Sequence, residues 1–466
     1  MPFRFVFLST DILVFALLMA LAVFALYARR HEHLRAPWRQ VRRRPLAMAA
    51  SVVLIAYVTI GLLDTVHLQW QLPATTGQTT YAPQIESLLD TISTPLRDRA
   101  EKTYSAPFAT HAFIKEVVQQ PDGTVTLEYP RLRYGGAHLQ DVADRVRDIT
   151  QRAFMGALAA ALAWLLLAIG VTYLGMRAPG ESLTTAISTL VRGRTDTPWR
   201  AILATFGAVL LLACLTVSLA SHYHILGTDQ VGQDVLYKSL KSVRTGLIIG
   251  TLTTLVMLPF AVIFGVMAGY FRGWVDDIIQ YIYTTLSSIP AVLLIAAAVL
   301  SLDVYITTHE EAFTTIAQRA DLRLLFLCLI LGVTSWTSLC RLLRGEALKL
   351  REVDYVQAAA ALGVRHSQIM ARHIVPNVMH IVLITIVLDF SGLVLAEAVL
   401  SYVGVGVDPS MNSWGNMING ARLEMAREPI VWWSLTAAFA FMFGLVLAAN
   451  LFSDAVRDAF DPRLRK

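Results

Sequence analysis

Nine stretches of this chain are apolar for long enough to cross a lipid bilayer, and no other feature limits its fold so severely. They run over about 12–28, 47–63, 154–174, 202–220, 246–269, 278–302, 324–343, 378–405 and 430–452. A spanning helix needs about 20 predominantly apolar residues. Lipid offers no partner to backbone N–H and C=O groups, so each span must satisfy them within its own helix. Only 16% of the 466 residues are charged, against 55% hydrophobic. That is well below the roughly one quarter charged in soluble domains. A soluble globular fold is excluded, and an all-α polytopic membrane protein is expected.

The net charge of +5 could suggest nucleic acid, but its distribution does not. Seven arginines fall between Arg29 and Arg44, directly after the first span, where a secretory signal would carry them before it. Basic residues beside spans set orientation. The N-terminus is therefore expected outside, with the arginine block, the loop 176–200 and the tail (Arg457, Arg463, Arg465, Lys466) in the cytoplasm. Cys214, Cys328 and Cys340 sit in or beside apolar runs with no C-x-x-C, and read as small apolar residues.

Residues 64–152 are a different material, charged and proline-containing. V-V-Q-Q-P-D-G-T-V-T-L-E-Y (117–129) has two β-rich arms about a Pro-Asp-Gly turn, a hairpin signal. Residues 85–103 and 138–152 have helical spacing, the second continuing into the third span. A small extracytoplasmic α+β insert is expected, serving as a packing module or as a docking surface. A short interfacial helix is expected at 185–191.

Two polar stretches between spans carry the most information. In H-Y-H-I-L-G-T-D-Q-V-G-Q-D-V-L-Y-K (222–238), Gly227 and Gly232 permit tight turns, while Asp229 and Asp234 can cap the following helical turns. His222 and His224 lack a third ligand nearby and read as interfacial histidines rather than a metal site. In the second stretch, 351–377, Asp354 can cap a helix containing four consecutive alanines. Gly363 ends or bends that helix, and a second one runs until Pro376 stops it. The result is a compact polar knob between apolar spans. Asp389 and Glu397 lie inside the eighth span, where ionisable groups are costly. Eight residues apart, they fall off a common helix face, and Glu397 is expected to bond polar groups within the bundle.

L-G-T-D-x-x-G-x-D at 226–234 is similar to a signature of the permease subunits of dipeptide and oligopeptide ABC importers. A-G-Y-F-R-G-W-V-D-D (268–277), L-A-E-A-V-L-S-Y-V-G-V-G-V (395–407), S-W-G-N-M-I (413–418) and N-L-F-S-D-A-V-R-D-A-F-D-P-R (450–463) resemble the same family in the same order. Gln357-Ala358-Ala359, then Gly363, then Val375-Pro376 resemble its "EAA" loop, with Gln357 in place of the usual Glu and Gln233 where Arg is usual. The resemblance covers 224–465 and leaves residues 1–200 outside. It implies a type I permease core of six helices at 201–466, preceded by a hairpin of two spans (1–63), the insert (64–152) and a third extra span with its loop (153–200).

It further implies that the loop 351–377 docks into a cleft on a cytoplasmic ATPase, through small Ala358, Ala359 and Gly363 and basic Arg365, His366 and Arg372. The implied partners are a second, homologous permease, one or two ABC ATPase subunits, an extracytoplasmic solute-binding protein and membrane lipid, but no nucleic acid. The chain has no G-x-x-x-x-G-K-[ST] phosphate loop, so ATP and Mg belong to the partner ATPases and no cofactor or metal is expected on this subunit. Two rival readings use other features. An ion-coupled secondary transporter would use Asp389 and Glu397, and a non-transporting scaffold would use residues 1–200.

Overall fold

The computed structural model describes residues 3–460 apart from 31, 73–80, 83, 120–124, 174–187, 191, 194, 310 and 312–314. Among the described residues, nine helices are long and apolar enough to span a membrane. In chain order the elements are β1 (Phe3–Val6), α1 (Ser9–Arg30), α2 (Glu32–Arg43), α3 (Pro45–Thr65), β2 (His67–Trp70), β3 (Glu86–Ser87), α4 (Leu88–Ile92), α5 (Thr94–Arg97), β4 (Glu116–Gln119) and β5 (Val125–Glu128). There follow α6 (Arg145–Val171), α7 (Trp199–Ala220), α8 (Val235–Phe271), α9 (Gly273–Ser288), α10 (Ala291–Thr308), α11 (Ile316–Arg351), α12 (Asp354–Ala361), α13 (His366–Ile369), α14 (Val375–Tyr402), α15 (Trp414–Glu424) and α16 (Trp433–Phe460). The chain divides into two compact units: Met1–Val6, Arg35–Thr245 and Asn412–Ala455 form the first; Phe7–Leu34, Gly246–Met411 and Val456–Lys466 form the second.

In the first unit, α6 and α7 pack closely because small residues lie at their crossing. A Cβ at Gly156 would stand 3.1 Å from the Cys214 carbonyl oxygen, and one at Gly207 2.8 Å from the Trp164 ring. The Trp164 indole N–H is satisfied by the Leu203 carbonyl at 2.7 Å. Strands β1, β2 and β3 form an antiparallel sheet in that order, with Phe3 opposite Trp70 and Val6 opposite His67. Two spans separate β1 from β2 in sequence, which brings both to one membrane face and makes the pairing possible. The expected hairpin is present, with Glu116 opposite Glu128 and Gln119 opposite Val125. Its Pro-Asp-Gly turn lies outside the described residues, as does most of the helix expected at 185–191. The helix expected over 85–103 is instead strand β3 and two short helices. Ser93 closes α4 and starts α5, with Pro95 in the first turn of α5. The expected continuation of 138–152 into the third span holds from Arg145 onward.

In the second unit, α8 and α11 approach through Gly265 and Gly269, four residues apart on one helix face. Added Cβ atoms would lie 2.8 Å from Leu343 Cβ and 2.6 Å from Ala347 Cβ. Around them Met257, Ala261, Trp336, Leu339, Cys340 and Leu343 form a buried core. The sixth span departs from expectation. Pro290 does not sit mid-helix: Ile289 is extended (φ −87°, ψ 129°), separating α9 from α10. Proline removes a helical N–H and disfavours helical geometry in the residue before it. Only α10 is span-like, while α9 buries Ile279 and Tyr283 and exposes Trp274 and Tyr281. The loop expected at 303–323 shrinks accordingly. Asp303 lies on α10 and Arg323 on α11, where they form an ion pair at 3.1 Å.

Candidate functional site

The knob at 351–377 is built as two short helices about a glycine. Helix α12 ends in a Schellman arrangement, with Val364 N–H on Ala359 O (3.1 Å) and Gly363 N–H on Ala360 O (3.0 Å). Gly363 takes φ +77°, a left-handed conformation that disfavours a side chain. Two local expectations change. Asp354 lies in the first turn of α12, with Val353 at the cap position. Pro376 does not stop the second helix; it sits in the first turn of α14. A wider π-helical turn, Met370–Ile374, carries the chain into it. Helix α13, this turn and α14 together count as one candidate span, His366–Tyr402.

One side of the knob is rooted. Val356, Ile369, Ile374 and Val378 are fully buried in the core that holds Ala268, Tyr270, Leu343 and Ala347. Arg351 Nη1 donates to the Tyr270 carbonyl (2.9 Å), and Tyr270 Oη lies 2.7 Å from His366 Nδ1. Arg272, itself at φ +59°, pairs with Glu352 at 2.6 Å. Arg344 holds Asp276 of α9 with two bonds, at 2.6 and 2.7 Å. The guanidinium of Arg344, working against burial, holds the Asp276 carboxyl below its ordinary range. The α8–α9 corner, the end of α11 and the knob are thus tied into one body.

The other side is open. Gln357, Ala358, Gly363, Arg365, His366, Arg372 and Pro376 are exposed, and Ala359 is half-buried. Leu362, at the apex, is 84% exposed. The Gln357 side-chain amide donates to the carbonyl and a carboxylate oxygen of Glu352, at 3.2 and 3.3 Å.

The loop 222–238 is arranged the opposite way, with its polar groups turned inward under the insert. The Glu101 N–H donates to Gly232 O (2.9 Å), and the Thr228 N–H donates to Ser105 O (3.0 Å). Thr228 Oγ1 donates to Thr103 O (2.9 Å). Gly227 (φ +71°) and Gly232 (φ +75°) are demanded by geometry, since added Cβ atoms would lie 2.4 Å from Ser105 O and 1.9 Å from Glu101 O. Asp234 Oδ1 caps α8 by accepting from Leu236 N–H (2.8 Å) and Tyr237 N–H (3.2 Å). Asp229 caps no helix; it closes the loop through the N–H groups of Val231 and Gln233 and pairs with Lys238.

His224 is no metal ligand in this arrangement. Its Nδ1 lies 2.8 Å from Asp234 Oδ2 and its Nε2 3.4 Å from Glu101 Oε1, with all three side chains almost wholly buried. Glu101 also accepts the N–H groups of Arg133, Tyr134 and Gly135. Burial opposes the charge on His224, but the bonds to Asp234 and Glu101 outweigh it and raise the imidazole to about 9. Burial likewise opposes ionisation of Glu101, yet His224 and the three N–H groups bring it down to about 2. A second buried cluster joins Lys241 to Asp64 (2.7 Å) and Asp90 (2.9 Å), and Tyr237 Oη donates to Asp90 at 2.6 Å. Sequence reasoning missed Glu101, Lys241 and Asp90, because their partners lie far away in the chain.

The two intramembrane acids differ. Glu397 is buried and accepts from Ser401 Oγ at 2.7 Å, within its own helix. Asp389 is half-buried and has no ion-pair partner among the described residues. Of the tail motif, Asn450, Asp454, Arg457 and Asp458 lie on α16, and the rest falls outside the described residues.

Among the described residues, nine span-length apolar helices and a rooted polar knob between two of them define a multi-pass membrane protein. Residues 261–466 match the family described as "Binding-protein-dependent transport system inner membrane component". The chain is 30% identical over 243 residues to the oligopeptide transport system permease protein OppC of Bacillus subtilis, covering 52% of this chain and 73% of that protein. It is 31% identical over 245 residues to the glutathione transport system permease protein GsiD of Pectobacterium atrosepticum, covering 53% and 74%. To the dipeptide transport system permease protein DppC of Bacillus subtilis it is 28% identical over 243 residues, covering 52% and 70%. The chain belongs to this family: it is a permease subunit of an ABC importer in the inner membrane.

Proposed function

We propose that the chain forms half of the translocation pathway of a di- or oligopeptide importer, with 201–466 as its permease core. The relatives that transport oligopeptides, dipeptides and glutathione support the peptide class. The second half belongs to a homologous permease. One or two ABC ATPases bind and hydrolyse ATP with Mg, and an extracytoplasmic solute-binding protein delivers the peptide. The N-terminus and the insert lie outside, while the knob and the C-terminus lie in the cytoplasm, as the arginine distribution supports.

The knob carries this reading. A surface that is small and basic, yet rooted in the core, is suited to transmit a push. Ala358, Ala359 and Gly363 admit close approach, and Arg365, His366 and Arg372 meet acidic surface. ATPase closure moves the knob, and its ties to the α8–α9 corner carry the motion into the spans, giving alternating access. The glycine bends and π-turn around the knob let the helices tilt.

The test is a Gly363→Asp variant of the full chain, co-purified from its native membrane. Aspartate tolerates left-handed geometry better than most residues, and a Cβ added at this position meets nothing within 4 Å. The fold is therefore kept while a negative charge enters the docking face. Wild type is expected to bring down a second permease and ATPase subunits with coupled ATP hydrolysis, and the variant to lose them. A variant that keeps wild-type partners and peptide-stimulated ATPase activity would remove the knob from coupling. Asp389 would then become the group to examine.

A further inference from the structure

The arginines between the first two spans do more than orient the chain. We propose that α2 is a binding site for anionic phospholipid headgroups. Helix α2 joins the end of α1 to the start of α3, and both are candidate spans, so each of its ends meets a membrane surface. A 12-residue helix, about 18 Å long, is too short to cross a bilayer, so α2 stays on the side where both spans end.

Its sequence has two faces. Pro37, Trp38 and Val41 fall on one side; Pro37 and Val41 are buried, Val41 to 2% exposure, and Trp38 is 38% exposed. Arg35, Arg39 and Arg42 recur at i, i+4 and i+7 and are exposed along the other side. Arg43 and Arg44 extend the charge; Arg43 lies 3.8 Å from Asp196, but both side chains are mostly exposed, which leaves little neutralisation. The block 29–44 contains seven arginines, one glutamate and no lysine.

Arginine is the residue suited to phosphate, because its planar fork can donate two hydrogen bonds at once. An exposed tryptophan beside such an arginine stripe, on a short helix between two spans, supplies both the aromatic and the cationic groups of a membrane-surface site. The site does not depend on what the chain transports, so its test involves no substrate.

Purified full-length protein in detergent is titrated with phosphatidylglycerol, phosphatidylcholine and inorganic phosphate, at low and at high salt. Thermal midpoint and lipid retention by native mass spectrometry are followed. Phosphatidylglycerol is expected to stabilise and be retained, more weakly at high salt, whereas phosphatidylcholine is not. In an Arg35→Gln, Arg39→Gln, Arg42→Gln variant, half-saturation is expected to require on the order of a hundredfold more phosphatidylglycerol, about fivefold per arginine. The matching Arg→Lys variant is expected to stay within a few fold, since charge is kept.

Equal response to both lipids, or a glutamine variant that binds like wild type, overturns the proposal. So does inorganic phosphate reproducing the whole effect, which would make the site one for free anion. If the triple glutamine variant fails to fold, the single Arg35→Gln, Arg39→Gln and Arg42→Gln variants decide, each expected to weaken phosphatidylglycerol binding about fivefold, and no change in any of them overturns the proposal.

Discussion

The loops 222–238 and 351–377 both carry family-like motifs and both turn about left-handed glycines, but their surroundings are opposite. Gly232 is pressed against the Glu101 carbonyl, whereas Gly363 has nothing within 4 Å. The hydroxyl of Thr228 and the carboxylates of Asp229 and Asp234 are engaged within the first unit by the insert, the loop backbone and neighbouring side chains. In the second loop Val356, Ile369 and Ile374 are buried, while the small and basic residues are left exposed. One glycine-marked loop is a seat for a domain of the same chain. The other is a face left open to solvent. A motif's residue types do not distinguish these roles; what covers them does.

The largest effect that can break this comparison is Gly232→Ala. A Cβ 1.9 Å from a carbonyl oxygen, at φ +75°, forces the insert off the loop. A loss of more than about 3 kcal/mol is expected, read as a collapse of the thermal midpoint in detergent. A midpoint near wild type would mean that the insert does not hold the loop.

Glu101→Gln comes next, at about 3 kcal/mol, because it leaves the buried His224 with one carboxylate partner fewer, Asp234 alone. This cluster also has a pH signature. His224 is raised from 6.5 to about 9, so its contribution is complete below pH 6.5 and is lost as pH rises through 9. Glu101 is lowered from 4.5 to about 2, so its contribution is complete above pH 4.5 and is lost as pH falls through 2. Both are complete between pH 4.5 and 6.5. Stability of the insert, followed by hydrogen exchange at its amides, should peak there in wild type. In Glu101→Gln the acid-side fall should weaken; an unchanged profile would assign it to other carboxylates.

Gly363→Ala sharpens the contrast from the other side. With open space around it, only the left-handed backbone opposes a methyl group, and about 1 kcal/mol is expected. A thermal loss as large as that of Gly232→Ala would show that the knob is covered after all. Tyr270→Phe is the smallest change, at about 1 kcal/mol or less, since it removes one partly buried bond to His366. Its expected signature is functional: partner ATPase activity persists but responds less to peptide, because one tie between the α8–α9 corner and the knob is gone. Full coupling in Tyr270→Phe would place the transmission in Arg272–Glu352 and the buried core instead.

The sequence alone determined the membrane class, the number of spans, the β-hairpin of the insert and the turn at Gly363. Each follows from local physics: unbroken apolar length, alternation about a turn, and the left-handed freedom of glycine. Local rules failed where a residue has two permitted uses. Pro290 can kink a span or divide it, and Pro376 can stop a helix or begin one, and the sequence does not say which. Only the tertiary structure decided that Glu101 meets His224, 123 positions away, and that Lys241 gathers Asp64 and Asp90. It also decided that Gly265 and Gly269 seat α11, and that one glycine-marked loop is covered while the other is open. Burial and long-range charge pairing are properties of neighbours in space. A sequence gives each residue's appetite for a partner, and folding selects the partner.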